Sequence, residues 1–197
     1  MDKPDLAALL GSRICHDLIS PLGAIGNGVE LLMMDGQTTG PEVALIAESV
    51  ANSNARIRFF RVAFGAASTD QRIGRPEILS ILADSTKGGR LKVEWRLPGD
   101  QLRREVKLAF LAIQCLENAM PWGGRIIADR ENGRWTVAGA GRRLRFEPGL
   151  WESLSVPEGP ADLTPAQVQF GLLFAEAAAT GRCLSVETGE TAASITF

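Results

Sequence analysis

The chain has 197 residues and a formal net charge of −2, so it lacks the basic excess of a protein that holds nucleic acid through phosphates. Its 45% hydrophobic and 22% charged residues are typical of a globular protein with one large domain or two small ones. Three scattered cysteines and a single histidine argue against a zinc site and a disulfide framework.

Nothing in the sequence indicates export or membrane insertion. The N-terminus has no basic region followed by an apolar stretch, and no apolar run approaches the roughly 20 residues that span a bilayer. We therefore expect a reduced, soluble, cytoplasmic protein.

The first third of the chain has helical periodicity. Apolar residues recur at helical spacing from Pro4 to about Met34 and again from Pro41 to about Ala67, with a turn at residues 35–41. Pro41 suits the first position of a helix. The pattern predicts an αα-hairpin of two helices, each on the order of 26–30 residues or about 40 Å long. Because two such helices cannot hide both apolar stripes, we predict a homodimer that forms a four-helix bundle.

The remainder of the chain has helical periodicity in some segments and the alternation of β-strands in others. It predicts helices over 75–86, 101–120 and 165–180, and strands over 91–97, 125–129, 134–138, 144–147, 182–187 and 192–197. Gly181 suits the position just past a helix end. The predicted class is α+β: a helical hairpin for dimerisation over residues 1–70, and an α/β sandwich over residues 71–197 with helices on one face of its sheet.

His16, the single histidine, lies on the first predicted helix. The eight apolar positions of this helix span an arc of roughly 160°, and His16 lies about 170° from the middle of that arc. We therefore expect its imidazole to face solvent. Small or polar residues share this outer line and two apolar residues flank it: Ser12, Ser20 and Gly23, with Leu9 and Ile19.

Two interpretations of His16 remain open from spacing alone. A single histidine on a helix is more often solvated or capping than reactive. Nucleophilic use is the alternative, since an ordinary pKa of about 6.5 leaves a free ring lone pair at pH 7. Asp17 is a candidate polarising neighbour, and Pro21 predicts a kink one turn beyond the histidine.

The residues His16-Asp-Leu-Ile-Ser-Pro-Leu22 resemble the H box of sensor histidine kinases, whose histidine is phosphorylated on a dimerising hairpin. The second half resembles the kinase ATPase domain in outline: residues 114–126 look like its N box, and residues 180–187 like the segment after its last helix. Three departures from that family affect the nucleotide site. Val137 stands where an adenine-binding carboxylate belongs, residues 164–171 hold one glycine instead of a glycine-rich loop, and Gln114 lies one turn before Asn118.

A kept histidine beside a degenerate ATPase-like domain resembles the ChpT-type histidine phosphotransferases, which are dimeric phosphorelay intermediates. The resemblance implies that His16 accepts a phosphoryl group from a receiver-domain aspartate of a hybrid histidine kinase. It then passes the group to response regulators, which in that family include cell-cycle regulators. It also implies no cofactor of its own: ATP is not expected, and the divalent metal belongs to the partner receiver. The alternatives are an ATP-dependent sensor kinase core and a non-transferring signalling scaffold.

A docking surface follows from the predicted hairpin. If the turn centres near residue 38, position 16 lies level with about position 60. Arg56, Arg58 and Arg61 would then attract a receiver's acidic pocket, with a merely solvated face as the alternative. Trp122 and Trp151 are candidates for exposed anchors, although most tryptophans pack in a core.

Overall fold

The computed structural model describes residues 6–34, 40–147 and 149–197; in the first helix the side chains of residues 6–10, 12, 13, 16 and 17 are not described. The chain divides into two compact units, Met1–Ala66 and Ala67–Phe197. Within the described parts, no helix is both long and apolar enough to cross a membrane.

Unit 1 is a helical hairpin. Helix α1 comprises Leu6–Met34 and contains Pro21, and helix α2 comprises Pro41–Ala63. Pro41 begins α2 as predicted, because the missing amide of a proline costs nothing in a first turn. The helix ends at Ala63 rather than near Ala67, where the amide of Phe64 closes the last turn by donating to the carbonyl of Phe60. The predicted turn at residues 35–39 lies outside the described residues.

Unit 2 combines three helices with short strands. Its elements in chain order are β1 Arg72–Ile73, α3 Arg75–Ser85, β2 Leu91–Trp95, β3 Gln101–Leu102, α4 Arg103–Ala119, β4 Gly124–Glu131, β5 Arg134–Ala140, 3₁₀ turns at Glu152–Ser155 and Pro165–Gln167, α5 Val168–Ala179, β6 Ser185–Thr188 and β7 Ala192–Thr196. The predicted strand at residues 144–147 is wrong: the amides of Leu144 and Arg145 donate to the carbonyls of Glu190 and Ala119, on two different segments, so no ladder forms.

The main sheet has five strands in the order β2-β4-β5-β7-β6. Strands β2 and β4 are parallel, and the other neighbours are antiparallel. Asn132 and Gly133 connect β4 to β5 with positive φ angles of 51° and 79°, which the tight turn of a two-residue hairpin requires. The β1–β3 pair is a separate two-stranded sheet.

One face of the main sheet is buried and the other is open. Alternate residues on β4 and β5 are fully buried, among them Ile126, Ala128 and Val137, while Ile127 and Thr136 on the opposite face are partly exposed. The buried face packs with α4, whose residues from Val106 to Ala112 are almost completely buried. This alternation agrees with helices on one face of a two-layer unit.

Candidate functional site

The register of the hairpin is set by close contacts between α1 and α2. A Cβ atom added at Gly11 would lie 3.2 Å from the carbonyl oxygen of Phe64, and one added at Gly26 would lie 3.4 Å from the side chain of Val50. Both pairs place residue 16 of α1 level with residues 59–60 of α2. This is the level that the sequence predicted for the antiparallel hairpin.

The α1 surface beyond His16 on the outer line is open. Ser20 and Pro21 are exposed and Ile19 is partly exposed. A Cβ atom added at Gly23 would meet no described atom within 4 Å. Gly23 follows residue 16 by seven positions, or about two helical turns, so both occupy nearly the same line of the helix. The side chains of the other predicted site residues, Leu9, Ser12, His16 and Asp17, lie outside the described residues.

Pro21 leaves a gap in the hydrogen bonding of α1. A proline has no amide hydrogen, so the carbonyl of Asp17, four residues earlier, receives no bond from it. The helix nevertheless continues to Met34. The backbone carbonyl one residue after the histidine position therefore lacks its usual helical hydrogen-bond donor.

The three arginines of α2 are not equivalent. Arg56 and Arg61 are exposed, whereas Arg58 is partly buried, and each already has an interaction within the chain. Arg61 lies close enough to Cys15 to affect its ionisation: burial raises the pKa of the Cys15 thiol, and the positive charge of Arg61 opposes that rise.

An apolar stripe on α1 remains uncovered. Ile14 is 49% exposed and Leu18 is 44% exposed, and Ile25 and Leu32 continue the same line. At about 100° per residue these four positions lie within a narrow arc, next to the side that faces α2 through Cys15 and Val29. Position 16 lies on the opposite side of the helix. We call Ile14, Leu18, Ile25 and Leu32 the α1 stripe.

In unit 2, the segment that resembles an adenine-binding loop is apolar and filled. Val137 is fully buried in β5. A Cβ atom added at Gly139 would lie 2.9 Å from the sulfur of Met120 and 3.2 Å from a methyl carbon of Leu116, so the space in front of this glycine is already occupied. A valine side chain cannot accept a hydrogen bond from an adenine amino group.

The segment that resembles an N box presents few groups for a metal. The side-chain oxygen of Gln114 is buried and has no hydrogen-bond partner, while Asn118 is exposed. Among the described residues, no group of three or more histidine, cysteine, aspartate or glutamate side chains could hold a metal ion. Hard divalent cations prefer several carboxylate and carbonyl oxygens, which this segment does not bring together.

The loop before α5 packs as part of the core. Trp151 is only 3% exposed and makes edge-to-face contacts with Phe146 and Phe170, at ring-centroid distances of 5.1 and 5.3 Å. Leu154 in the same loop is 1% exposed. Of the two tryptophans considered as exposed anchors, Trp151 is therefore a core residue, whereas Trp122 is 49% exposed. The sequence did not point to Arg143, whose guanidinium lies 5.8 Å from the Trp122 ring centroid.

These observations define a class: a helical hairpin with one histidine position on its open side, linked to a mixed-sheet unit in which Met120 and Leu116 occupy the space in front of Gly139. Comparisons with known proteins are consistent with it. Residues 75–192 match the family model of the histidine phosphotransferase C-terminal domain. Protein phosphotransferase ChpT from Brucella abortus (strain 2308) is 37% identical over 186 residues, or 88% of this chain and 87% of that protein.

The solved structures give the same result. A bacterial phosphotransferase structure matches with a TM-score of 0.66 and 29% identity, over 100% of this chain and 97% of that one. A histidine kinase domain from Erythrobacter litoralis aligns over 90% of this chain and 93% of that one. Its TM-score is only 0.46 and its sequence identity 15%. The chain belongs to the histidine phosphotransferase family.

Proposed function

We propose that this protein is a phosphorelay histidine phosphotransferase in which His16 carries the phosphoryl group. The observation that carries the proposal is that a chain of this family contains a single histidine, set in the sequence His-Asp-Leu-Ile-Ser-Pro-Leu on α1. If a histidine carries the phosphoryl group, it is His16.

The reaction requires little chemistry from the protein itself. A neutral ring nitrogen of His16 attacks the phosphorus of an aspartyl phosphate on a receiver domain. The new N–P bond forms as the P–O bond to the aspartate breaks, and the carboxylate leaves. Transfer to the next receiver reverses these steps with that receiver's aspartate as the nucleophile. The receiver supplies the divalent metal that neutralises the phosphoryl oxygens, so the phosphotransferase mainly presents an accessible imidazole in line with the bond that breaks.

Open space along α1 supports this role. A receiver must approach residue 16 closely, and the exposed Ser20 and unobstructed Gly23 leave room for a protein surface. We assign the docking contacts to Leu9, Ser12, Ile19, Ser20 and Gly23 on α1 and to Arg56, Arg58 and Arg61 on α2. Asp17 is proposed as a positioning residue that orients the imidazole.

The active form is proposed to be a homodimer. The α1 stripe leaves four large apolar side chains between 44% and 54% exposed, and Leu45 and Ile46 of α2 are exposed as well. Packing two hairpins into a four-helix bundle would remove this surface from water. Because position 16 lies on the opposite side of α1 from the stripe, such a dimer would leave both histidine positions accessible.

We further propose that the protein uses no ATP. The buried Val137, and the side chains of Met120 and Leu116 packed against Gly139, support this view because they offer an adenine ring neither a carboxylate nor space. We place the activity in the cytoplasm, in keeping with three free cysteines. The donor is expected to be a hybrid kinase, and the recipients response regulators, including regulators of the cell cycle.

The test is a transfer assay with a radiolabelled phospho-receiver and no ATP. Wild-type protein should acquire acid-labile, base-stable label, and His16→Ala should acquire none. Asp17→Asn should slow transfer by about tenfold or more, since the carboxylate charge that strengthens a hydrogen bond to the ring as it becomes positive would be lost. Cys15→Ala, at the neighbouring position, is the matched control and should acquire the label as the wild-type protein does. Labelling of His16→Ala, or labelling of wild-type protein by ATP and magnesium alone, would contradict the proposal.

A further inference from the structure

Strand β2 forms an outer edge of the main sheet. It pairs with β4 on one side, and no strand of the described chain pairs with its other side. At the opposite edge of the sheet, β6 contacts the 3₁₀ turn at Glu152–Ser155. An unpaired edge presents a row of backbone donors and acceptors that can bind a further strand. The outer edge of β2 is therefore a candidate site for another polypeptide.

The hydrogen bonds between β2 and β4 determine which backbone groups of β2 point outward. The amide of Arg96, just after β2, donates to a carbonyl of β4 at 3.0 Å. In a parallel ladder only every second residue of a strand bonds to a given neighbour, so Glu94 and Lys92 also bond to β4. The amide and carbonyl groups of Leu91 and Val93 therefore point to the outer edge. The described residues provide no hydrogen-bond partner for these groups.

The side chains along this edge carry an excess of positive charge. Lys87, in the loop before β2, and Lys92, within it, are exposed, and neither lies within 4 Å of a described carboxylate. Glu94 is the acidic residue of β2, and its carboxylate already binds Arg96, at 2.7 Å, and Arg125. The edge is therefore electrostatically complementary to an acidic polypeptide.

The two faces of the sheet differ at this edge. Val93 pairs with the buried Ile126, so its side chain lies on the helix-covered face, where it is still partly exposed. Lys92 pairs with the exposed Arg125 and lies on the open face. An added strand would place alternate side chains beside Val93 and beside Lys92. Apolar residues suit the first set of positions, and acidic residues suit the second.

We infer that the outer edge of β2 binds an extended segment of a partner protein, in which acidic and apolar residues alternate, as a sixth strand. The backbone groups of Leu91 and Val93 supply the hydrogen bonds of such strand addition. Lys87 and Lys92 select an acidic segment and oppose pairing with the same edge of a second copy, which carries the same charge. The inference does not depend on the proposed function of His16.

The binding experiment uses the full chain and a capped ten-residue peptide of alternating Glu and Val. The control peptide has Lys in place of Glu. In isothermal titration calorimetry the Glu peptide should bind about tenfold or more tightly than the Lys peptide at low salt, and the difference should shrink at high salt. Equal affinity of the two peptides, or no binding of the Glu peptide, would overturn the inference.

Two substitutions test the backbone and the charge of the edge separately. Val93→Pro removes an outward amide but no bond to β4, and it should weaken binding of the Glu peptide about tenfold or more. Lys92→Glu should weaken it about fivefold or more. Arg134→Glu is the matched charge control: this exposed residue of β5 also has no described carboxylate within 4 Å, and its reversal should change the affinity less than about twofold. An equal loss in Lys92→Glu and Arg134→Glu would show an effect of overall charge and contradict the inference.

Amide hydrogen exchange of the wild-type protein tests the site without any substitution. NMR should show that the Glu peptide slows exchange of the amides of Leu91 and Val93, which it would engage directly. The amides of Lys92 and Glu94 already bond to β4 and should change much less. If the peptide binds without slowing exchange at Leu91 and Val93, it binds elsewhere and the inference is wrong. Thermal unfolding of each variant shows whether a loss of binding reflects the edge or a loss of fold; the exchange result decides for any variant that does not fold.

Discussion

The two units of this chain differ most in how completely they bury their apolar side chains. Unit 2 has a closed core in which Phe110, Trp135 and Ile195 are fully buried. Unit 1 buries Val50, Phe59 and Val62 between its helices but leaves the α1 stripe about half exposed. Since exposed apolar stripes of this kind are usually covered by another surface, unit 1 is the part of the molecule shaped for association.

The difference also separates reactive from structural roles. The residue proposed to carry the phosphoryl group belongs to the hairpin, whereas Met120, Trp151 and Leu154 of unit 2 are buried in its core. A unit with a complete core can serve as a structural support. We therefore assign the structural role to unit 2, and propose transfer and dimerisation for unit 1.

The largest expected effect tests the closed core of unit 2. Trp135→Ala should lower the free energy of unfolding by about 3–5 kcal/mol, because a fully buried aromatic side chain is lost and a cavity remains. Trp122→Ala, at an exposed position, should change it by only about 0.5 kcal/mol. Urea denaturation monitored by far-ultraviolet circular dichroism measures both. An equal loss of unfolding free energy in the two variants would contradict the contrast between the buried Trp135 and the exposed Trp122.

A medium effect is expected at the α1 stripe. Ile14→Glu/Leu18→Glu would place charges in the surface that we propose to be the dimer interface, so the protein should become monomeric at micromolar concentration. Asn27→Glu adds a charge to an exposed position on the open side of α1 and should leave the dimer intact. Light scattering coupled to gel filtration gives the mass directly. A monomeric wild-type protein would contradict the proposed four-helix bundle.

The smallest effect concerns the three thiols. Burial raises the pKa of Cys15, and raises that of Cys115 well above its usual value, whereas Cys183 is exposed to solvent and to reagents. Cys183 should react first with a thiol reagent, Cys15 second and Cys115 last. Rapid labelling of Cys115, identified by mass spectrometry of the modified peptides, would show that the core of unit 2 opens readily.

The same pKa shifts predict a loss of stability at high pH. Below about pH 8.5 the thiols of Cys15 and Cys115 are mostly protonated in both the folded and the unfolded state. Above it the unfolded chain loses these protons while the folded chain keeps them, so the free energy of unfolding falls as pH rises toward the folded pKa values. Cys115→Ala should weaken this pH dependence, which denaturation at pH 8 and pH 10 would show.

Much of the fold was predictable because local signals agreed with tertiary packing. Pro41 and Pro76 lie in the first turns of their helices, and Gly181 follows the last helix with a φ of 66°. The short β1 and β3 strands were not predicted, since two-residue strands have no periodicity to detect. The predicted strand at residues 144–147 has alternating apolar residues, but its backbone is bound by two different segments.

The site was less predictable than the fold. The sequence singled out His16 and the level of the α2 residues beside it, because both follow from helical spacing. It could not distinguish the exposed Trp122 from the buried Trp151, since both lie in connecting segments and only tertiary packing decides their exposure. The pairing of Arg125 with Glu94, and of Arg130 and Arg182 with Glu105, also joins residues far apart in sequence.

The bare α1 stripe has a consequence for genetics. If each copy completes its core with a second one, an inactive His16→Ala copy would still pair with a functional copy and form mixed dimers. Such heterodimers would keep one working imidazole each, so co-expression should halve the phosphate-carrying capacity of each dimer without poisoning the functional subunit. A stripe-disrupted copy would be excluded from pairing altogether, and its allele should therefore be recessive.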